Sequence, residues 1–107
     1  MLGAVYGFSA PMVNASRKPE EWQTYDMIYH GPRCDANGGI ATPGRVSILL
    51  NGVLVQENVL LGKKGAGCQT DNICEPGPLR LQDHSGFPGA PHTMMKFRNI
   101  WLRHLQQ

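Results

Sequence analysis

The 107-residue sequence predicts an all-β fold, an antiparallel β-sandwich, from its strand pattern, its turn residues and its composition. Short segments rich in apolar and β-branched residues alternate with connections rich in glycine and proline. The chain contains 13 glycines and 8 prolines, and no segment has the period of a long amphipathic helix. A chain of this length forms one domain, residues 1–107, and buries only about 60–70% of its unfolded surface, so its core is thin.

Candidate strands are short, and one turn between them is well marked. Asn51-Gly52 separates two apolar runs and predicts a type I′ hairpin, because both residues tolerate a positive φ. The long connection at 31–44 is predicted to be loop. The predicted strands are Ala4–Phe8, Glu21–His30, Arg45–Leu50, Val53–Asn58, Leu79–Asp83 and Met94–Leu105.

Charge and hydropathy narrow the function classes. The net charge is +2 and the basic residues are scattered, which argues against a nucleic-acid partner. No apolar run approaches the roughly 18 residues of a membrane span, so no membrane role is expected. The N-terminus does not have the pattern of a signal peptide.

The three cysteines leave an odd count. Cys68 and Cys74 flank a short polar loop and either form a disulfide or remain free thiols, and Cys34 is expected to be unpaired. The spacing has no CxxC pair, so a zinc site is not expected.

The predicted strand at 79–83 and the residue after it carry a polar face. Leu79 and Leu81 fall on one side, whereas Arg80, Gln82 and His84 fall on the other, because side chains alternate along a strand. A cation, an amide and an imidazole side by side are suited to a polar ligand such as a sugar.

Several motifs in order resemble the 3-keto-disaccharide hydrolase-like domain family, over nearly the whole chain. They are residues 10–19 (APMVNASRKP), Glu21 to Asp26 (EWQTYD), Pro32-Arg33, Asn51-Gly52-Val53, Gly77 to His84 (GPLRLQDH) and Phe97 to Trp101 (FRNIW). The resemblance implies a concanavalin A-like lectin/glucanase jelly roll, whose concave sheet carries a sugar site. It also implies carbohydrate chemistry and a periplasmic or secreted location.

The chain resembles only the C-terminal half of that domain. We therefore expect a truncated jelly roll that is completed by oligomerisation, as a homodimer. The reason is that half a sandwich would leave the inner face of Val46, Ile48 and Leu50 in water.

His84 is the first candidate for the catalytic residue, since imidazole exchanges protons near neutral pH. If the substrate is a 3-keto sugar, as the resemblance implies, one base can remove the acidified proton beside the ketone and elimination breaks the glycosidic bond. Arg80, Gln82 or Arg33 would stabilise the oxyanion. A carboxylate pair of the ordinary glycosidase type is the alternative, and for it Asp26 and Asp83 are the candidates.

Aromatic and charged side chains complete the candidate substrate site. Trp22 and Tyr25 are predicted to stack on sugar faces, although both types are common in cores. Arg98 is a candidate for substrate binding or for an ion pair with Asp26. No cofactor is required. A structural calcium ion is possible, because Asp35-Ala36-Asn37-Gly38 and Asp71-Asn72 supply oxygen ligands, but neither forms a complete loop signature.

Three functions remain open at this point. The protein cleaves glycosidic bonds, as a 3-keto-glycoside hydrolase or a glucanase-like hydrolase acting on an oligosaccharide or polysaccharide. Alternatively it is a carbohydrate-binding module without turnover, or a structural fragment that is stable only as an oligomer.

Overall fold

The computed structural model describes residues 2–62, 73–82 and 95–105. The chain divides into two compact units, Met1–Gly77 and Pro78–Gln107. Five strands lie in the first unit, and the described residues contain no helix. The strands are β1 (Tyr25–His30), β2 (Arg33–Cys34), β3 (Ile40–Thr42), β4 (Gly44–Leu50) and β5 (Val53–Leu61). None of the described residues forms a helix long and apolar enough to cross a membrane.

The strands form two antiparallel sheets, which confirms the all-β antiparallel prediction. One sheet has three strands in the order β1-β4-β5, and the other pairs β2 with β3. In the first sheet Tyr25 lies opposite Leu50 and His30 lies opposite Arg45, without interruption. The second sheet falls within the connection that was predicted to be loop. Its strands have two and three residues, too few to show an alternating pattern.

The predicted hairpin turn is confirmed. Asn51 and Gly52 have φ values of 53° and 79°, as a type I′ turn requires, and Leu50 pairs with Val53 across it. The Asn51 side chain also fixes the turn to the rest of the unit. Its Oδ1 accepts the N–H of Thr24 at 2.9 Å, and its Nδ2 donates to the carbonyl of Ala15 at 2.8 Å and to Gln23 Oε1 at 3.1 Å.

The core lies on one face of the three-stranded sheet. Val46, Ile48 and Leu50 alternate along β4 and are 8%, 5% and 0% exposed. The chain's own N-terminal segment covers them, so the expectation that these three side chains would lie open in a single chain was wrong. Leu2, Val5 and Ala15 pack against this cluster.

Irregular pairing places a polar side chain in the core. The register between β4 and β5 shifts on either side of Ile48, and the consecutive residues Val55 and Gln56 are both buried. Gln56 Nε2 donates to the carbonyl of Gly3 at 3.0 Å and to that of Ser9 at 3.3 Å. Because these bonds replace water, the buried amide stabilises the N-terminal segment on the sheet.

Three strand predictions were wrong in whole or in part. The segment predicted at 4–8 is a tight turn closed by one bridge between Val5 and Ser9. The described parts of the other two, residues 79–82 and 95–105, are not in strands. Alternating side chains suit an extended chain, but a strand also needs a partner for its backbone hydrogen bonds, and the pattern does not supply one.

Candidate functional site

The face of the three-stranded sheet opposite the core carries polar side chains. Asp26 and His30 of β1 lie on this face by strand alternation, and so do Arg45 and Ser47 of β4. His30 lies opposite Arg45 in the register, and Ile28 lies opposite Ser47. We call this surface, comprising Asp26, Ile28, His30, Arg45, Ser47 and Leu49, the polar face.

The polar face combines three kinds of hydrogen-bonding group. Asp26 is exposed, whereas His30 and Arg45 are half-buried. Asp26 and His30 are four residues apart on β1, about 13 Å along the strand, with Ile28 between them, so a single monosaccharide does not span both side chains. The Ser47 hydroxyl accepts the N–H of Asn58 at 2.9 Å. The face therefore offers a carboxylate acceptor, a guanidinium donor and an imidazole.

Trp22 and Tyr25, the two aromatic residues predicted to stack on a sugar, lie in different places relative to Asp26. Trp22 precedes β1 and is 46% exposed. Tyr25 lies on the core face, opposite Leu50, and its hydroxyl accepts the N–H of Gly3 at 3.0 Å. Burial raises the pKa of Tyr25 above its ordinary value, and the Gly3 hydrogen bond partly opposes that shift. Tyr25 and Asp26 are thus on opposite faces of the sheet.

Arg33 is the first residue of β2 and is exposed, opposite Thr42. The next residue, Cys34, forms a disulfide with Cys74. The expectation of an unpaired Cys34 was therefore wrong, and so was the possible pairing of Cys74 with Cys68. Cys68 itself lies outside the described residues. The possible Cys68–Cys74 bond was based on the proximity of these residues in the sequence, whereas the fold brings together two cysteines that are 40 residues apart.

The remaining site candidates belong to the second unit. Arg80, Gln82 and Arg98 are exposed, and none is in a strand. His84 and Asp83 lie outside the described residues. The grouping of Arg80, Gln82 and His84 with Asp26 and Arg33 stays a prediction.

The calcium possibility also stays a prediction. The described residues contain no group of three or more His, Cys, Asp or Glu side chains placed to hold a metal ion. Asp35 Oδ1 accepts the N–H groups of Asn37 at 2.9 Å and Gly39 at 2.8 Å, so this carboxylate shapes its own turn. Asp71-Asn72 lies outside the described residues.

Sequence analysis did not single out His30, Arg45 or Ser47 as site residues. The hairpin turn at 51–52 fixes the pairing of β4 with β5, but it carries no information about β1. The register of β1 against β4 places His30 opposite Arg45. The signal that could have found them is the alternation within β4, where polar Arg45 and Ser47 separate apolar Val46 and Ile48.

Comparison with known proteins agrees with the fold. A protein from Parabacteroides distasonis, described as a "putative glycosyl hydrolase", is 32% identical in sequence with a TM-score of 0.54. The similarity covers 64% of this chain but only 29% of that protein, so the chain spans less than a third of its length. No curated protein matches. The sequence profile of the 3-keto-alpha-glucoside-1,2-lyase-like domain matches residues 1–103, which confirms the resemblance seen in the motifs. The chain belongs to the 3-keto-alpha-glucoside-1,2-lyase-like domain family.

Proposed function

We propose that this protein cleaves the glycosidic bond of a 3-keto glycoside, within an oligosaccharide or polysaccharide, on a jelly-roll scaffold. The observation that carries the proposal is the family match, which covers residues 1–103. The similarity to a protein described as a glycosyl hydrolase supports the same chemistry. The two antiparallel sheets are compatible with part of a jelly roll.

The reaction we propose is an elimination followed by hydration. A base removes the proton from the carbon between the ketone and the anomeric carbon. The electron pair forms a double bond to the anomeric carbon, the glycosidic C–O bond breaks, and the leaving oxygen takes a proton. Water then adds across the double bond and gives the 3-keto sugar. Charge develops on the ketone oxygen, so hydrogen-bond donors there lower the barrier. The route uses no cofactor.

His84 is the proposed base, and Arg80, Gln82 and Arg33 are the proposed donors to the ketone oxygen. Asp26, or Asp83, would protonate the leaving oxygen. The polar face supports a role for Asp26, because this carboxylate is exposed on a face that also carries His30, four residues further along β1. His30 is therefore a second candidate for the base.

The disulfide supports a location outside the reducing cytosol. Cys34 and Cys74 are bonded, and disulfides persist mainly in secreted and periplasmic proteins. We propose that the protein works in such a compartment.

Carbohydrate binding without turnover is the second candidate function. It is favoured by the exposure of Trp22, at 46%, since an exposed aromatic ring suits the face of a sugar. Arg98 would contribute to binding in either case, whereas Tyr25 lies on the core face, with its hydroxyl bonded to Gly3, and so does not share a face with Asp26.

The test is product analysis by mass spectrometry on a 3-keto disaccharide and on the unoxidised parent. The wild type should release a monosaccharide from the 3-keto substrate. His84→Ala should lower turnover by about 10²–10⁴-fold, the usual contribution of a general base, with the fold unchanged. His104→Ala is the matched control, because His104 is exposed in the second unit and has no assigned role.

The outcomes separate the candidates. If His30→Ala abolishes turnover and His84→Ala does not, the base is His30. If neither substrate is cleaved but saccharides still bind, the protein is a binding module. Full activity in both histidine variants would contradict the proposed chemistry.

A further inference from the structure

The core face of the three-stranded sheet is covered on β4 but only partly on β1, where the Tyr25 hydroxyl accepts the N–H of Gly3 while Met27 and Tyr29 are largely exposed. Tyr25, Met27 and Tyr29 lie opposite Leu50, Ile48 and Val46 and share their face. The β4 side chains are at most 8% exposed, whereas the three β1 side chains are 41%, 60% and 58% exposed. The N-terminal segment packs on the β4 and β5 part, where the N–H of Met12 also donates to the Val55 carbonyl at 2.9 Å. An apolar stripe therefore remains open along β1.

The same strand is also an edge of its sheet. Among the described residues β1 pairs with β4 alone. Exposed edges are usually protected by lysine, proline or a bulge. The sequence of β1, YDMIYH, contains neither residue, and its register against β4 has no shift. An unprotected edge next to an apolar stripe suits the addition of another strand.

The strand is complementary to itself in one antiparallel register. When Ile28 lies opposite Ile28 of a second copy, Asp26 lies opposite His30, and Met27 lies opposite Tyr29. Each of these pairs occurs twice because of the two-fold axis. Cross-strand pairs that hydrogen-bond, and pairs of an aromatic with an apolar side chain, stabilise antiparallel sheets. A register centred on Met27 places Asp26 opposite Ile28 and loses the carboxylate–imidazole pair.

We propose that a second copy of this chain docks on β1. The two β1 strands pair antiparallel about a two-fold axis at Ile28, and the three-stranded sheets become one continuous sheet. The stripe of Tyr25, Met27 and Tyr29 then continues into the stripe of the partner copy. This surface differs from the one expected from the sequence, since Val46, Ile48 and Leu50 are already covered within one chain. The inference does not depend on the sugar chemistry.

Sedimentation velocity at micromolar concentration tests the association. The wild type should be a dimer, and Met27→Lys should raise the dimer dissociation constant by about tenfold or more, because it places two charges on the shared stripe. Val13→Lys is the matched control. Val13 is 50% exposed and lies outside every strand, so this variant should dimerise like the wild type. A folded wild type that stays monomeric, or equal effects of the two lysine substitutions, would overturn the proposal.

Cross-linking tests the register. Ile28→Cys, in a Cys68→Ser background, should form a covalent dimer on mild oxidation. The reason is that residues directly opposite each other have Cα atoms about 4.5–5.5 Å apart, within disulfide range. Met27→Cys in the same background should cross-link far more slowly, since its thiols would not lie opposite each other. Equal or reversed rates would refute the register.

Discussion

Asn51 gives a direct test of how the first unit is held together. Its side chain makes three hydrogen bonds, to the N–H of Thr24, the carbonyl of Ala15 and the Gln23 side chain. Its backbone has a φ of 53°, which glycine adopts without strain and alanine does not. Asn51→Gly removes the hydrogen bonds and keeps the turn, whereas Asn51→Ala removes both.

The expected losses in the free energy of unfolding follow from two contributions, the side-chain hydrogen bonds of Asn51 and its positive φ. Each hydrogen bond contributes about 0.5–1.5 kcal/mol, and partial exposure of this site favours the low end, so Asn51→Gly should cost about 2 kcal/mol. The positive φ adds about 1–2 kcal/mol for a residue with a Cβ, so Asn51→Ala should cost more than 3 kcal/mol. The measurement is the free energy of unfolding from urea titrations followed by tryptophan fluorescence.

Asn58 provides the control. It too has a positive φ, 44°, and it is exposed. Within the described residues its side chain makes no hydrogen bond, whereas its backbone N–H donates to the Ser47 hydroxyl. Asn58→Gly should therefore change the free energy of unfolding by less than about 0.5 kcal/mol. If Asn51→Gly is as stable as Asn58→Gly, the hydrogen bonds of Asn51 do not stabilise the unit and the reasoning fails.

Three further predictions concern stability. Gln56→Leu should cost about 1–3 kcal/mol, because the carbonyl of buried Gly3 loses its donor, whereas the half-buried Ser9 carbonyl keeps the N–H of Val5, and hydrogen exchange should accelerate in residues 3–9. Cys34→Ser and Cys74→Ser should each cost about 4 kcal/mol, while Cys68→Ser should leave the free energy of unfolding and its sensitivity to reductant unchanged. Tyr25→Phe should weaken the alkaline loss of stability. Burial raises the folded-state pKa of Tyr25, so its contribution is complete below the unfolded pKa, near 10, and is lost as pH rises through the folded value.

The sequence predicted the parts of the fold that depend on neighbouring residues. The hairpin at Asn51-Gly52 follows from local φ preferences, and the strands on either side follow from alternation. The pairing of Cys34 with Cys74 and the register of β1 against β4 depend on contacts between distant segments. No local pattern encodes them.

In the candidate site, too, a local pattern identifies some residues, whereas others are brought together only by contacts between distant segments. Asp26 was identified because it lies in a recognisable motif, and the structure places it exposed on a sheet face. His30 and Arg45 lie opposite each other only because of the β1–β4 register, so no local pattern associates them. The alternation at 79–82 predicted a strand that the structure lacks, because side-chain pattern alone does not provide a hydrogen-bonding partner.

One measurement tests the central claim directly, namely that the protein cleaves 3-keto glycosides by elimination. The purified chain is incubated with a 3-keto disaccharide in D₂O, and the released monosaccharide is analysed by mass spectrometry against an enzyme-free sample. The predicted result is release of a 3-keto monosaccharide that carries one carbon-bound deuterium between the ketone and the anomeric carbon, in excess of the slow enolisation exchange in the enzyme-free sample. The reason is that elimination removes the proton at this carbon and the addition of water replaces it from solvent. Release of an unlabelled product would contradict the elimination, and the absence of any cleavage by the folded protein would contradict the proposed activity.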